Sequence, residues 1–225
     1  MIIQIYTAQS VDEALALADA GVDHVGVTPP QGLPGEVSLA TMRDIALALK
    51  GRARCVALTV DITPETVAEL VTTVQPDILH LCPLADAIKP ADIPPLRAVL
   101  PPGMTILQAI SVTGPESIAE AQAYAAVADM LILDTQHPDI RGVGASGMVH
   151  DWSISQAIVQ AVAVPVIMAG GLSPENVAEA VRVVRPWGVD SATLTNEALA
   201  DGSVRKDLAK VRAFAAAARA AVEAL

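Results

Sequence analysis

Short apolar runs alternate along the chain with longer segments in which apolar residues recur at helical spacing. MIIQIY at residues 1–6, DHVGVT at 23–28 and RCVALTV at 54–60 have strand length and are rich in apolar residues. Five further runs of this kind follow, namely DILHLC, TILQAI, MLILD, PVIMAG and GVDSATL. The pattern therefore predicts eight strands, each followed by a helical or loop segment.

Capping residues mark where several of the helices begin. Ser10 precedes the first helical pattern, and Glu13 stands three residues on, as a capping box requires. Ser38 caps the second helix, and Thr63 caps the third, with Pro64 at its first position. These residues predict helices directly after the first three strands.

The alternation of strands and helices predicts the fold class. Strands that are apolar over nearly their whole length must be covered on both faces, which is typical of a parallel sheet. Eight such units in 225 residues fit a closed (β/α)8 TIM barrel of the α/β class. An open doubly wound sheet is the alternative. The stretch KPADIPPLRAVLPPG is interpreted as a fourth unit with a short helix that begins at a proline, and no linker divides the chain, so residues 1–225 are predicted to form a single domain.

Charge limits the partners of the protein. The chain has 25 acidic and 14 basic residues, a formal net charge of −11 at pH 7. This charge opposes general binding to nucleic acid or to an anionic membrane, so neither is expected as a partner. A phosphorylated small molecule, by contrast, needs only local backbone N–H groups to bind.

Targeting signals and cysteine motifs are missing from the sequence. The N-terminus has no basic segment followed by an apolar stretch, and no apolar run approaches the roughly 20 residues of a transmembrane helix. Cys55 and Cys82 form no CxxC pair and fit a reducing compartment. We therefore expect a cytoplasmic protein without a cofactor or a metal, and both a monomer and a homodimer remain open.

In a barrel of this kind, function lies at the carboxyl ends of the strands. In chain order the residues at these ends are Tyr6, Thr28, Asp61, Cys82, Ser111, Asp134, Gly170 with Gly171, and Thr193. A carboxyl group at such an end can have its pKa raised by desolvation and then donate a proton, which makes Asp134 a candidate general acid. The structural alternative is an aspartate that caps its own loop.

Strand alternation places further polar residues inside the barrel. Tyr6 shares a strand face with Gln4, and His80 shares one with Cys82. His80 is a candidate base or proton shuttle because the unperturbed pKa of histidine is near 6.5. The alternative is a buried neutral histidine that is hydrogen-bonded to a glutamine such as Gln108.

The loop after Asp134 contains two more candidates for substrate binding. His137 and Arg141 lie there, and loops at this end of a barrel often carry function, although simple solvation would also explain both residues. A metal site built from His80, Cys82, Asp134 and His137 was considered. Their spacing matches no recognised ligand motif, so no metal site is predicted.

Three segments resemble stretches of a known family. They are GASGMVHDW (144–152), IMAGGLSPENVAEAVRVVRPWGVD (167–190) and GSVRKDLAKVRAF (202–214). All three are similar to stretches of the phosphoribosylanthranilate isomerase family, which converts an N-glycosidic aminoribose phosphate into an aminoketose in tryptophan biosynthesis. The resemblance extends over the whole chain in the same order.

The resemblance implies a (β/α)8 barrel and assigns roles to named positions. It implies a general acid at Asp134 and a phosphate held by backbone N–H groups after strands seven and eight. The matching residues for phosphate or substrate binding are Gly170, Gly171, Ala192, Thr193, Gly144, Ser146 and Gly147. Glycines allow close approach of an anion, and a helix that starts near Ser173 would direct its N-terminus at the phosphate.

The chain departs from the family pattern at three positions. Tyr6 stands where the family has a cysteine general base, and a phenol with a pKa near 10 is a poorer base than a thiol. Gly35 stands where the family has an arginine that is expected to contact the anthranilate carboxylate, with Glu36 beside it and Cys82 as a further candidate in the same region. Leu194 replaces a glycine of the second phosphate loop, and leucine does not readily adopt a positive φ.

Three functions are compatible with these residues. The first is an isomerase or lyase on a phosphorylated sugar derivative, with Asp134 as acid and Tyr6 or His80 handling the other proton. The second is a genuine phosphoribosylanthranilate isomerase that tolerates the substitutions. The third is a noncatalytic barrel that binds a phosphorylated metabolite.

Overall fold

The chain folds into a closed barrel of eight parallel strands. The computed structural model describes residues 1–83, 87–135 and 150–224. The strands are β1 (Ile2–Ile5), β2 (His24–Val27), β3 (Arg54–Thr59), β4 (Ile78–Leu81), β5 (Thr105–Ser111), β6 (Met130–Asp134), β7 (Val166–Met168) and β8 (Gly188–Ser191). Each strand pairs with the next, and β1 pairs with β8, which closes the sheet. The predicted (β/α)8 barrel is thereby confirmed, and the open sheet is excluded.

Helices cover the outside of the barrel. They are α1 (Val11–Asp19), α2 (Leu39–Ala48), α3 (Pro64–Val74), α4 (Ile93–Ala98), α5 (Glu116–Ala125), α6 (Trp152–Ala161), α7 (Val177–Val184) and α8 (Leu208–Glu223). The short fourth helix is confirmed, but it begins at Ile93 and has prolines at its second and third positions; a 3-10 turn at Pro90–Asp92 precedes it. No helix in the described parts of the chain is both long and apolar enough to cross a membrane.

The predicted N-caps are present, but the first capping box is altered. The side chains of Ser10, Ser38 and Thr63 each accept a hydrogen bond from the backbone N–H three residues on. The Glu13 carboxylate accepts from the backbone N–H groups of Gln9 and Lys206, not from that of Ser10. Glu13 therefore joins the start of α1 to a segment almost two hundred residues away in sequence.

A two-stranded antiparallel hairpin follows the barrel's last strand and was not predicted. Its strands are β9 (Asn196–Ala198) and β10 (Val204–Lys206). The apolar run GVDSATL, predicted as one strand, ends as a strand at Ser191 because Thr193–Thr195 form a 3-10 turn. The hairpin brings Lys206 to the mouth of the barrel.

Side chains inside the barrel form a core separate from the one between strands and helices. Tyr6, just after β1, belongs to the inner core and is 5% exposed. Its ring lies against the backbone of Gly26 on β2, where an added Cβ would lie 2.1 Å from Tyr6 Cδ1. Gly26 therefore leaves the space that the tyrosine ring fills, next to the candidate site.

Candidate active site

A cavity of about 310 Å3 opens among the residues that follow the barrel strands, as the fold class predicts. Its lining includes Tyr6, His80, Cys82 and Asp134, so the predicted polar cluster under the mouth is brought together. A smaller recess between the loops after β7 and β8 shares Asp134 with the cavity. A ligand could thus occupy both spaces at once.

Tyr6 and His80 are hydrogen-bonded to each other inside the barrel. The Tyr6 hydroxyl lies 2.9 Å from His80 Nδ1. Burial, reinforced by the nearby Asp190 carboxyl, raises the pKa of Tyr6 well above its ordinary value, and burial lowers the pKa of His80 to about 3. Both side chains are therefore neutral at pH 7. Gln108, the alternative partner of His80, instead donates to the carbonyl oxygen of Ala109.

Asp134 ends β6 with its carboxyl group at the mouth. Burial raises its pKa to about 7, although a hydrogen bond of 2.7 Å from the Thr135 backbone N–H opposes the rise. A carboxyl with this pKa retains its proton for a large fraction of the time near neutral pH. Such a group can donate a proton in a reaction, which is the property expected of it from the sequence.

Asp190 is a second buried carboxyl at the mouth, and sequence reasoning missed it. It lies on β8, opposite Gln4 of β1, and lines both the cavity and the recess. Burial raises its pKa to about 8, with a further contribution from the negative charge of Asp134. The signal that could have found it is an ionisable residue within an otherwise apolar strand, at a position that alternation turns inward.

Lys206 is a third functional candidate that the sequence did not reveal. Its ammonium group donates to the carbonyl oxygens of Tyr6 and Ala192 and to Asn196 Oδ1. Burial lowers its pKa to about 8, while the charges of Glu13 and Asp190 act against that change. Because an ammonium group has three N–H donors, these three oxygen atoms occupy all of them.

The predicted phosphate loops line the recess. Gly170 and Gly171 both have positive φ, 83° and 64°, and the recess also contains Ala192 and Thr193. The helix after the glycines, α7, begins at Val177, three residues beyond Pro174, so the predicted start near Ser173 is wrong. Asn176 Oδ1 accepts from the Ser173 backbone N–H and thereby holds the intervening turn.

Leu194 does not need the backbone conformation of the glycine it replaces. Gln75 and Arg185 are the non-glycine residues with positive φ in the described ranges, and Leu194 lies within the 3-10 turn Thr193–Thr195. The loop after β8 accommodates the leucine with its side chain 38% exposed. The backbone of this loop therefore stays beside the recess without a glycine.

The loop after β2 has no room for a side chain at the family's arginine position. Gly35 has a φ of 70°, and an added Cβ would lie 2.1 Å from Thr7 Oγ1. The Glu36 carboxylate accepts from the backbone N–H groups of Gly32 and Leu33, at 2.7 and 3.1 Å. The loop thus folds back on its own acidic residue.

Three residues that line the cavity each carry a buried polar atom without a hydrogen-bond partner among the described residues. These atoms are Thr28 Oγ1, His80 Nε2 and Asp190 Oδ1. Buried polar groups are almost always hydrogen-bonded in folded proteins, so unpaired atoms of cavity residues are candidates for bonds to a ligand.

Several predicted residues lie outside the described part of the chain. These are His137, Arg141, Gly144, Ser146 and Gly147. Within residues 1–83, 87–135 and 150–224, no group of three or more histidine, cysteine, aspartate or glutamate residues is arranged to hold a metal ion. The described part of the candidate site consists of two carboxyl groups, the neutral Tyr6–His80 pair and the glycine loop.

Comparisons with known structures support the fold. A crystal structure of phosphoribosyl anthranilate isomerase from Thermotoga maritima superposes with a TM-score of 0.80, at 24% identity, over 98% of this chain and all of that one. A second isomerase structure, a complex with reduced 1-(o-carboxyphenylamino)-1-deoxyribulose 5-phosphate, gives a TM-score of 0.78 at 23% identity, over 98% of this chain and all of that one. Both are similar barrels.

Sequence comparisons identify the family. The family model for N-(5'-phosphoribosyl)anthranilate (PRA) isomerase matches residues 3–217. An N-(5'-phosphoribosyl)anthranilate isomerase of Rhodopseudomonas palustris is 36% identical over 95% of this chain and 92% of that protein. One of Haloferax volcanii is 37% identical over 92% of this chain and 88% of that protein. The resemblance seen in the sequence is confirmed: the chain belongs to the phosphoribosylanthranilate isomerase family.

Proposed function

We propose that the protein isomerises a phosphorylated N-glycosylamine to an aminoketose, with Asp134 as general acid and Asp190 as general base. The observation that carries this proposal is the pair of buried carboxyl groups at the barrel mouth, with pKa values raised to about 7 and about 8. Both line the recess that also contains Gly170 and Gly171. The phosphate is assigned to that recess.

The chemistry of such an isomerisation requires one acid and one base. Protonation of the ring oxygen opens the sugar and leaves a carbon–nitrogen double bond at C1. Removal of the C2 proton then gives an enolamine. In the last step C1 gains a proton and the C2 hydroxyl loses one, which yields the ketose, so the reaction is a net isomerisation. Every step is a proton transfer, and a pair of carboxyl groups that shares one proton can perform both roles.

The two carboxyl groups fit this requirement near neutral pH. The pKa values of the two groups are close, and the charge on Asp134 raises the pKa of Asp190. The two carboxyl groups therefore titrate as a coupled pair that shares one proton. The higher pKa of Asp190 favours the proton there, and the productive form is the other tautomer, with the proton on Asp134, where the family resemblance implies the acid, and the charge on Asp190. Tyr6 and His80, which the sequence offered as bases, are weaker candidates because burial keeps the phenol protonated and gives the imidazole a pKa of about 3.

The neutral pair is assigned a binding role. The Tyr6 hydroxyl is hydrogen-bonded to His80 Nδ1, and His80 Nε2 has no protein partner among the described residues. Thr28 Oγ1, on another cavity-lining residue, also has no such partner. These two atoms are assigned to bond the hydroxyl groups of an opened sugar chain.

The test is product formation in deuterated water. Ribose 5-phosphate is condensed with a panel of primary amines, including anthranilate and aniline, and the aminoketose is followed by NMR together with deuterium at C1. Wild type should form it, and Asp134→Asn and Asp190→Asn should each lower the rate by about 10²–10⁴-fold, the usual contribution of acid–base catalysis. Asp44→Asn on the exposed side of α2 is the matched control. Full activity of either active-site variant would remove that residue from the mechanism.

Phosphoribosylanthranilate itself is the second candidate substrate, because relatives named for that reaction are 36–37% identical. The assay follows the fluorescence of freshly made phosphoribosylanthranilate as it is consumed, and it compares wild type with Tyr6→Cys. Turnover by wild type at a rate equal to or above that with other amines would make this the physiological reaction. Growth of a tryptophan auxotroph that carries the gene provides the cellular counterpart of the assay.

A further inference from the structure

The cavity has an aliphatic wall that the recess lacks. The wall consists of Leu33, Pro34, Leu58, Val60, Ile132 and Val204. These residues come from the loop after β2, from β3 and the residue that follows it, from β6, and from the hairpin strand β10. The recess, with its glycines, shares Asp134 and Asp190 with the cavity. A ligand with its phosphate in the recess can therefore extend its other half into the cavity, toward apolar side chains.

The loop after β2 builds one edge of this wall and excludes a cation from it. A side chain at Gly35 would require an L-residue at a φ of 70° and would meet Thr7 Oγ1 at 2.1 Å. The arginine that the family resemblance implies at this position would require Thr7 to move and would be strained at this positive φ. Its place in the cavity lining is taken by Leu33 and Pro34.

Glu36 stabilises this arrangement of the loop. Its carboxylate accepts two backbone N–H groups at the loop's tip, and Thr28 and Glu36 form a parallel β-bridge at the loop's base. Hydrogen bonds from N–H groups to a carboxylate are stronger than those to a neutral acceptor. The loop is thus held in the conformation that presents leucine and proline to the cavity.

No basic side chain among the described cavity residues is available for a substrate carboxylate. Lys206 is the only lysine or arginine among them, and its three N–H donors are taken by Tyr6 O, Ala192 O and Asn196 Oδ1. Asp134 and Asp190 also line the cavity and supply no positive charge. A carboxylate in this space would be desolvated without a cationic partner among the described residues, which is costly.

We infer that the amine half of the substrate is apolar and uncharged, an aryl or alkyl amine without a carboxylate. This inference rests on the proposed function, and it narrows the substrate to the N-glycosides that such amines form with a pentose 5-phosphate. The same geometry makes anthranilate a poor substrate, because its carboxylate has no counter-charge among the described cavity residues.

The test compares two ligands that differ by one carboxylate. Reduced 1-(o-carboxyphenylamino)-1-deoxyribulose 5-phosphate and its phenylamino counterpart are titrated into the protein by calorimetry in phosphate-free buffer, with ribulose 5-phosphate as a ligand that has no aryl group. The phenylamino ligand should bind at least tenfold more tightly than the carboxylated one. It should also bind more tightly than ribulose 5-phosphate, because only the aryl group reaches the aliphatic wall.

A variant pair tests the wall directly. Leu33→Arg places a cation at the loop edge and should move the affinity ratio by about tenfold toward the carboxylated ligand, whereas Leu33→Gln, of similar polarity but uncharged, should not. Thermal unfolding of both variants verifies that they are folded.

The possible outcomes distinguish failure of the inference from failure of the proposed function. Equal affinities, or a preference of wild type for the carboxylated ligand, overturn the inference whichever residue supplies the cation, while the phosphosugar site stands. Failure of all three ligands to bind overturns both. Tight binding of ribulose 5-phosphate with no gain from the aryl group retains the phosphosugar site and removes the aliphatic wall as a binding surface.

Discussion

Replacing Asp190 with asparagine should stabilise the protein at pH 7 and should do so much less at pH 5. The pKa of Asp190 is about 8 in the folded protein against an ordinary 3.8. Between these values the folded state holds a proton that the unfolded chain releases, so stability falls as pH rises through that window. Asparagine has no proton to retain, so the variant loses this dependence.

The magnitude follows from the number of protons retained. One retained proton lowers the free energy of unfolding by about 1.4 kcal/mol for each pH unit within the window. From pH 5 to pH 7 the difference between variant and wild type should therefore grow by up to about 3 kcal/mol. In a domain of this size that corresponds to about 6–12 °C in Tm. This free-energy difference is an upper limit, because relaxation of the native state reduces it.

The three histidines with lowered pKa values contribute equally to both proteins. The pKa values of His24, His80 and His150, about 4, about 3 and about 4, make stability rise with pH up to about the ordinary value of 6.5. The raised pKa of Asp134 acts in the opposite direction up to about pH 7, and the charge of Asp134 is coupled to Asp190. The comparison of variant with wild type at each pH removes the contribution of the histidines and reports that of the coupled carboxyl pair.

The assay is urea unfolding followed by circular dichroism at pH 5, 6 and 7, with the slope m checked for constancy. Asp44→Asn, at an exposed position of α2, is the matched control and should track wild type at every pH. Parallel curves for wild type and Asp190→Asn would refute the reasoning, because they would mean that Asp190 is ionised in the folded protein.

Three further substitutions test the packing around the site. Tyr6→Phe leaves His80 Nδ1 buried without its partner and should cost about 1–3 kcal/mol in urea unfolding; a neutral result would contradict the hydrogen bond. Gly26→Ala places a Cβ against the Tyr6 ring and should cost about 1–3 kcal/mol, whereas an unchanged midpoint would show that the ring lies elsewhere. Asp151→Ala removes the N-cap that accepts from the Ser153 N–H and should lower stability by about 1 kcal/mol, with Asp151→Asn close to wild type as the check.

The barrel was predictable because its signals are local. Apolar runs of strand length, helical periodicity and the caps at Ser10, Ser38 and Thr63 each act within a few residues. The hairpin β9–β10 has no such signal: its strands are three residues each, and Glu197 and Arg205 lie on them as an exposed ion pair. Its structure depends on contacts with distant parts of the chain, of which the bond from Lys206 to Tyr6 is one.

The candidate site was predictable only in part, for the same reason. Asp134 lies at a strand end, which a sequence can show, and the structure places it at the mouth with a raised pKa. Asp190 acquires its significance from Asp134 and from burial, neither of which is visible in the run GVDSATL. The space available at Gly35 depends on Thr7, which lies in another loop.

The two departures from the family pattern are joined in the structure at the end of β1. Tyr6 occupies the position of the family's base, and the next residue, Thr7, occupies the space that a side chain at residue 35 would need. A change in this one segment therefore alters both the proton acceptor and the amine-binding loop. A Tyr6→Cys substitution restores a thiol base. Thr7 and the positive φ of Gly35 stay in place, so the variant gains no arginine to bind the carboxylate of the substrate. Conversely, the proposed mechanism takes its base from Asp190 without any change at Tyr6, so it predicts that amine specificity, and not loss of the cysteine, separates this protein from the isomerases whose pattern its sequence resembles.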